Sequence, residues 1–267
     1  MATNGKSGER SLVPEERRRR ILERLRKEGG VSVSALEQEL GVSSMTIRRD
    51  LEVLEQQGKA RRTHGGAILP ELAGHEDSFQ QRVETNVEQK KRLGEAAAAK
   101  ISAGESVFLD ASSTSYYAAR SILDAGKKVT VIASLVPIMD LLSSQPLSGV
   151  DLIGLGGSLR KLTRSFVGPQ TTRAISAYFT DKVFLSVRGV TQDGHLTDPD
   201  PLEAEVKRAM IAHAREAILL VDGSKFGAQA LCVVAHVSNL SLVITTSDAP
   251  EEAIRSITQM GVPVEIV

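Results

Sequence analysis

The chain has 267 residues, room for two domains, with 33 Lys and Arg matched by 33 Asp and Glu, 3% aromatic residues and no Trp. So few rings argue against the stacking platforms of single-strand and RNA binders. No apolar run is long enough to span a bilayer and Met1–Arg10 has no signal-peptide core, so a cytoplasmic protein with no membrane partner is expected. The neutral total hides an asymmetry: residues 1–69 hold 14 basic against 10 acidic side chains, residues 70–267 hold 19 against 23.

The first predicted helix carries Arg17, Arg18, Arg19 and Arg20, either a solvated face or a phosphate contact, followed by an apolar stripe at Ile21, Leu22 and Leu25. Ser34-Ala35-Leu36-Glu37 has the spacing of a capping box for a second helix; Val33, Leu36 and Leu40 complete a small core, and Gly41 ends it. Ser43 is a suitable N-cap for a third helix, in which Ile47, Leu51 and Leu54 recur on one apolar face. That face packs inward and leaves Ser44, Met45, Thr46, Arg48 and Arg49 on other faces, where hydroxyls and guanidinium groups meet base edges and phosphates. Helix, helix, tight turn, helix is the helix-turn-helix order, and the third helix reads duplex DNA. The basic segment Gly58–Leu69, with its paired glycines, predicts a two-stranded wing that brings Arg61, Arg62 and His64 near phosphates; His64 also fits a plain turn position.

The winged unit is assigned to residues 14–69, a polar linker to 70–80 and a second domain to 81–267. There a helix over Val87–Ile101 leads to a strand at Ser106–Leu109. Further β-rich runs follow at Val129–Ala133, Val150–Leu155, Lys182–Val187, Ala217–Val221 and Leu242–Thr246. Helical patterns between several of them predict a mostly parallel α/β sheet. The loop Asp110–Ser115, running into a helix from Tyr116, offers free amides and the hydroxyls of Ser112, Ser113, Thr114 and Ser115 to a phosphate, or else those hydroxyls merely cap the helix. Gly156 and Gly157, just after a strand, allow close approach of a ligand or a neighbouring strand; their spacing is not that of a dinucleotide fingerprint, and no cofactor is expected.

Lys207 on a helix and Lys225 past the end of Ala217–Val221 are placed to neutralise a phosphate, with Asp222 accepting from a sugar hydroxyl or orienting Lys225. Glu203 and Lys207 also have the spacing of a surface ion pair. Cys232 lies in the apolar run Ala230–Ala235 and reads as a small buried hydrophobe, and five scattered histidines give no metal site.

Val42-Ser43, Thr46-Ile-Arg-Arg-Asp-Leu51, Leu54, Gly58, Arg62 and His64-Gly-Gly-Ala67 together resemble the N-terminal signature of DeoR-type bacterial transcription regulators. Phe108–Thr114, Gly156-Gly157, Ser165, Gly168, Gly189, Lys207 and Asp222–Gly227 resemble the effector domain of the same family, so the resemblance covers nearly the whole chain. It implies an α/β fold class: a winged helix-turn-helix followed by a Rossmann-like effector domain resembling ribose-phosphate isomerase, which senses a phosphorylated sugar. Two positions depart from the family, Ser112 in place of a common glycine and Ala133-Ser134 in place of Thr-Asn, and Arg188 adds a possible phosphate partner. The expected function is a homo-oligomeric repressor of carbohydrate genes, dimer or tetramer, that leaves its double-stranded operator when the effector binds. The alternatives are a sugar-phosphate isomerase or aminosugar deaminase using Asp110, Asp222 and Lys225, and an activator or architectural DNA binder without an effector.

Overall fold

The computed structural model describes residues 13–28, 30–57, 59–63, 66–68, 76–145 and 149–267, without the side chains at 26–28, 30, 61–63 and 68. The chain divides into two units, Met1–His75 and Glu76–Val267. In the first, α1 (Pro14–Glu28), β1 (Gly30–Ser32), α2 (Val33–Leu40), α3 (Ser44–Gln56), β2 (Arg61–Thr63) and β3 (Gly66–Ile68) follow in order, and the strands form an antiparallel sheet β1-β3-β2. Ile21, Leu25, Leu36, Leu40, Ile47, Leu51 and Leu54 make its core, while Leu22 is only half-buried.

The third helix starts as expected, with Ser43 Oγ accepting from the Thr46 amide at 3.4 Å. The second differs. Ser32, not Ser34, is its cap and accepts from the Ala35 amide at 3.1 Å. As the last residue of β1, Ser32 is already extended (φ −93°, ψ 149°), as an N-cap requires, so α2 begins before Ser34. Gly41 closes α2 in the left-handed region at φ 65°. The wing gains a third strand, β1, too short for a readable period; a Cβ at Gly66 would lie 1.9 Å from the Val31 carbonyl oxygen. The arginine run also divides: Arg17 is buried and ion-paired to the buried Asp50 of α3, and Arg18 meets the same carboxylate at 3.3 Å. Only Arg19 and Arg20, paired to Glu16, keep to a solvated face.

The second unit runs α4 (Phe79–Glu84), α5 (Val87–Ala99), β4 (Ser106–Leu109), α6 (Ser113–Asp124), β5 (Val129–Ala133), α7 (Val136–Ser143), β6 (Val150–Gly154), β7 (Ser158–Arg160), β8 (Ser165–Val167) and α8 (Pro169–Ile175). It continues with β9 (Thr180–Leu185), β10 (Gly189–Val190), β11 (His195–Asp198), α9 (Pro201–Ala212), β12 (Ala214–Val221), β13 (Cys232–His236), β14 (Leu242–Thr245), α10 (Glu251–Gln259) and β15 (Val264–Ile266). Seven strands form one parallel sheet, β15-β14-β12-β9-β4-β5-β6, and β10-β11-β13 and β7-β8 form small antiparallel sheets.

Both faces of the large sheet are covered, as a parallel sheet demands. Along β4, Val107 and Leu109 join Leu93, Ala97, Ile122 and Ile138 of α5, α6 and α7, while Phe108 points to the opposite core with Ile175 of α8 and Met210 of α9. Strand β13 corrects the reading of Ala230–Ala235 as one buried run: Leu231 and Val233 are exposed, and Cys232 is half-buried against the core. The chain leaves β4 for β5 and β6 on one side, then returns to β9 on the other before building outward through β12, β14 and β15. Connections at the carboxyl ends of β4 and β9 therefore diverge and leave a crevice between them, the place where open α/β sheets hold ligands.

Candidate functional site

A cavity of about 300 Å³ opens at that crevice, the lower end of the range for small-metabolite pockets. Its walls come from the β4–α6 junction (Ser112, Ser113, Thr114), the β9–β10 loop (Ser186, Arg188), the turn after β12 (Lys225), α9 (Glu203, Lys207) and the segment carrying Asp77, Arg82 and Lys90.

At the first wall, α6 starts at Ser113 rather than Tyr116, because Ser112 is its N-cap. Ser112 Oγ accepts from the Ser115 amide at 3.0 Å and donates to Asp110 Oδ1 at 2.5 Å, and Ser115 Oγ donates to the same oxygen at 2.5 Å. Those two hydroxyls are spent inside the protein, and only that of Ser112 caps the helix. Ser115 and Asp110 do not line the cavity. Ser113 and Thr114 line it, and among the described residues their hydroxyls have no partner, so they and the α6 amide end are left for an anion.

Lys207 is buried and lies 3.2 Å from Asp110 Oδ2, in contact with Asp198 and 2.5 Å from the Ser186 carbonyl oxygen. Burial disfavours its charge, but Asp198 and Asp110 outweigh that and hold the ammonium above the ordinary lysine range. It therefore ties β4, β9 and α9 together at the pocket floor, and no Glu203–Lys207 surface pair forms. Glu203 instead accepts from Ser165 Oγ at 2.5 Å and Thr163 Oγ1 at 2.9 Å, and burial pushes its carboxyl up.

The opposite wall is cationic. Arg82 of α4 has its Nε and Nη2 buried with no hydrogen-bond partner among the described residues. Lys90 of α5 donates to the Arg82 and Thr85 carbonyl oxygens, and burial, with Lys225 next in effect, lowers it to about 8. Lys225 has no ion-pair partner among the described residues; burial lowers it, Asp222 partly opposes this, and Arg188 and Arg82 add to the lowering. Arg188 sits at the rim, 3.5 Å from Asp77. Three cations thus share one wall at the expense of one another, an arrangement that a bound dianion relieves.

Other expected members lie elsewhere. Gly156 and Gly157 do not line the cavity; a Cβ on Gly157 would fall 2.1 Å from Thr171 Oγ1, which itself donates to the Gly156 carbonyl at 2.9 Å, so this pair serves packing against α8. Asp222 is also off the cavity surface and caps the turn Gly223–Lys225, accepting from the Ser224 amide at 3.0 Å. Its carboxylate thus holds the turn that carries Lys225, with Oδ2 unpartnered among the described residues. Ser134 is fully buried away from the cavity, so the departure there does not touch it. Arg82 and Lys90 escaped the sequence reading, although a signal existed: Arg82 follows Phe79 by three, and Lys90 precedes Leu93, Gly94, Ala97 and Ala98 on the buried side of α5. A cation on an apolar helix face marks a buried charge with work to do.

In the first unit, α3 presents Ser44, Met45, Thr46, Arg48 and Arg49 beside Ser43. Met45, Arg48 and Arg49 are exposed, and neither arginine has an ion-pair partner among the described residues. The side chains of Arg61 and Arg62, and His64 altogether, lie outside the described residues. Among the described residues no helix is long and apolar enough to cross a membrane, and no group of three His, Cys, Asp or Glu is placed to hold a metal.

The description "DeoR-like helix-turn-helix domain" matches residues 17–72, and "DeoR C terminal sensor domain" matches residues 85–247. The HTH-type transcriptional repressor GlcR of Bacillus subtilis is 35% identical over 88% of this chain and 89% of its own length. The glycerol-3-phosphate regulon repressor of Escherichia coli is 30% identical over 94% of this chain and 98% of its own. Among solved structures, ribose 5-phosphate isomerase A from Neisseria gonorrhoeae is similar over 53% of this chain and 54% of that one, at 13% identity and a TM-score of 0.40.

Proposed function

The chain belongs to the DeoR family of DNA-binding transcriptional regulators, and from that premise we propose that it is a repressor of carbohydrate-metabolism genes released from its operator by a phosphorylated sugar. The observation that carries the effector half is the wall formed by Arg82, Lys90 and Lys225. Two buried guanidinium nitrogens lack acceptors among the described residues and burial lowers the pKa of two neighbouring ammonium groups, in a cavity of metabolite size. A phosphate dianion supplies acceptors and charge together. Ser113, Thr114 and the start of α6 add donors, and Glu203 and Asp198 line the same cavity as acceptors for sugar hydroxyls. One relative is named a repressor of the glycerol-3-phosphate regulon, which favours a phosphate ester as the ligand class.

In the DNA-binding half, Ser43, Ser44, Met45, Thr46, Arg48 and Arg49 read the major groove while Arg61, Arg62 and His64 of the wing hold phosphates. Two or more copies would place their α3 helices in half-sites one helical turn apart, about 10 bp. Effector binding disfavours that arrangement; a coupling of about 1–3 kcal/mol lowers operator affinity roughly 5- to 150-fold. We read the pocket as a sensor and not a catalyst. Asp110 accepts from Ser112, Ser115, the Ser186 amide and Lys207, and neither it nor Asp222 faces the cavity, so neither is placed as a base toward a bound sugar.

The test is fluorescence anisotropy of labelled duplex from upstream of the protein's own gene, titrated with protein and challenged with phosphorylated and unphosphorylated sugars. Competitor-resistant binding reversed by a phosphorylated sugar, with no turnover of ribose 5-phosphate or glucosamine 6-phosphate, is expected. Release by the unphosphorylated sugars as readily, or by none of the panel, would overturn the effector assignment.

A further inference from the structure

The cationic wall already faces one carboxylate of the chain itself, and that carboxylate stands at a telling place in the sequence. Asp77 lines the cavity and lies 3.5 Å from Arg188 Nη1. It also acts electrostatically on both Lys90 and Lys225. It is the second residue after His75, where the DNA-binding unit ends. Its neighbours are anchored to the second unit. Glu76 is gripped at two points by the Arg160 guanidinium, with side chains 13% and 21% exposed, and Arg160 also meets Asp200 at 3.1 Å. Ser78 caps α4 in a capping box with Gln81, and the Phe79 amide donates to the Leu162 carbonyl at 2.9 Å. Between these anchors the Asp77–Arg188 contact is long and its side chains are 33% and 42% exposed, the geometry of a pair that contributes little by itself.

We propose that Asp77 is an internal stand-in for the effector's anion: its carboxylate balances the empty pocket's cations, a bound phosphate replaces and repels it, and the connector to the DNA-binding unit thereby registers occupancy. This rests on the reading of the cavity as a phosphate-ester site and supplies its regulation. The charge exchange gives the ligand the differential interaction with two states that any population shift needs. With Asp77 seated, Arg188 is engaged and the connector is fixed at 76, 77 and 79; with phosphate bound, Arg188 turns to the ligand and Asp77, now beside a like charge, leaves. By linkage, the factor by which bound phosphate weakens operator binding is also the factor by which operator weakens phosphate binding.

The experiment compares full-length wild type, Asp77→Asn and Asp77→Glu by calorimetric titration with inorganic phosphate and with the sugar phosphates, and by anisotropy on the same operator duplex. Asp77→Asn should bind phosphate about two- to fivefold more tightly, bind operator more weakly by a similar factor in the absence of phosphate, and lose most of the phosphate-induced release. Asp77→Glu, which keeps the carboxylate, should return toward wild type; a fold defect in the Asn variant would instead weaken both ligands together. If wild type binds phosphate but Asp77→Asn matches it in phosphate affinity, operator affinity and release, the stand-in is wrong and the pocket reading stands. If wild type binds neither inorganic phosphate nor any sugar phosphate, the pocket reading falls and the stand-in with it.

Discussion

Arg82 is the most telling single residue, because a guanidinium with two buried nitrogens that have no partner among the described residues is costly in the empty protein and rewarding once an oxyanion arrives. Arg82→Met should therefore weaken a phosphorylated ligand by about 10- to 100-fold, the loss of one or two charge-assisted hydrogen bonds at ~1.5–3 kcal/mol in total. The ligand-free melting temperature should hold or rise. Calorimetric titration and a thermal melt check both halves, and a fall in melting temperature at unchanged affinity would make Arg82 a structural residue. Lys90 sets a pH signature. With a value of about 8 in the empty pocket, it is charged below that pH whether or not ligand is present, so affinity is level there. Above about 8 binding must take up a proton, because the anion raises the pKa of the bound state, so affinity falls by up to tenfold per pH unit; Lys225, also lowered, acts in the same direction. A titration series from pH 7 to 9.5 in buffers of different ionisation enthalpy should show the proton uptake, and a level profile would remove Lys90 from the site. Neither residue belongs to a motif. The motif residues Ser112, Ser115 and Asp110 proved instead to be the internal scaffold of the loop.

Elements place these side chains, and α3 shows how much placement depends on one buried contact. Its apolar face was readable from Ile47, Leu51 and Leu54, but Asp50 falls between them and is buried against Arg17 and Arg18 of α1, fixing how the reading helix lies across the first. Asp50→Asn takes that carboxylate away from the buried Arg17, and breaking such a pair costs about 3–5 kcal/mol. For a unit this small that is most of its stability, so loss of helicity and of DNA binding together is expected by circular dichroism and anisotropy. Arg48→Ala and Arg49→Ala lie at the exposed end of the scale. They should leave the melt unchanged, weaken operator binding and reduce the salt slope by about 1 for every phosphate that the missing guanidinium had neutralised. Retained operator affinity in both variants would move the reading surface away from α3. In the second unit, the strands β4, β5, β6, β9, β12 and β14 were visible as apolar β-rich runs, whereas β10 and β15 are too short for a period to register and β11, His195-Leu-Thr-Asp198, is too polar to stand out.

Across the whole molecule, each unit has its own core, and the candidate cavity lies wholly within the second. Scanning calorimetry should resolve separate transitions, with phosphorylated sugar raising the second unit's alone; at 100 times Kd the shift corresponds to about 2.7 kcal/mol. A single transition, moved as a whole, would mean that the units unfold together. What the amino-acid sequence determined by itself is what local chemistry decides: the capped third helix, six of the seven strands of the parallel sheet and the positive balance of the first 69 residues. These follow from periodicity, capping and composition, which act over a few residues at a time. Only the tertiary structure decided the pocket's charge. Arg82, Lys90, Arg188, Lys207 and Lys225 come from α4, α5, the β9–β10 loop, α9 and the turn after β12, and they converge because the sheet reverses its winding between β4 and β9. Whether a lysine there is neutralised, as Lys207 is by Asp198 and Asp110, or left wanting an anion, as Lys225 is, depends on which carboxylate the fold brings within a few ångströms, and separation along the chain does not encode that distance.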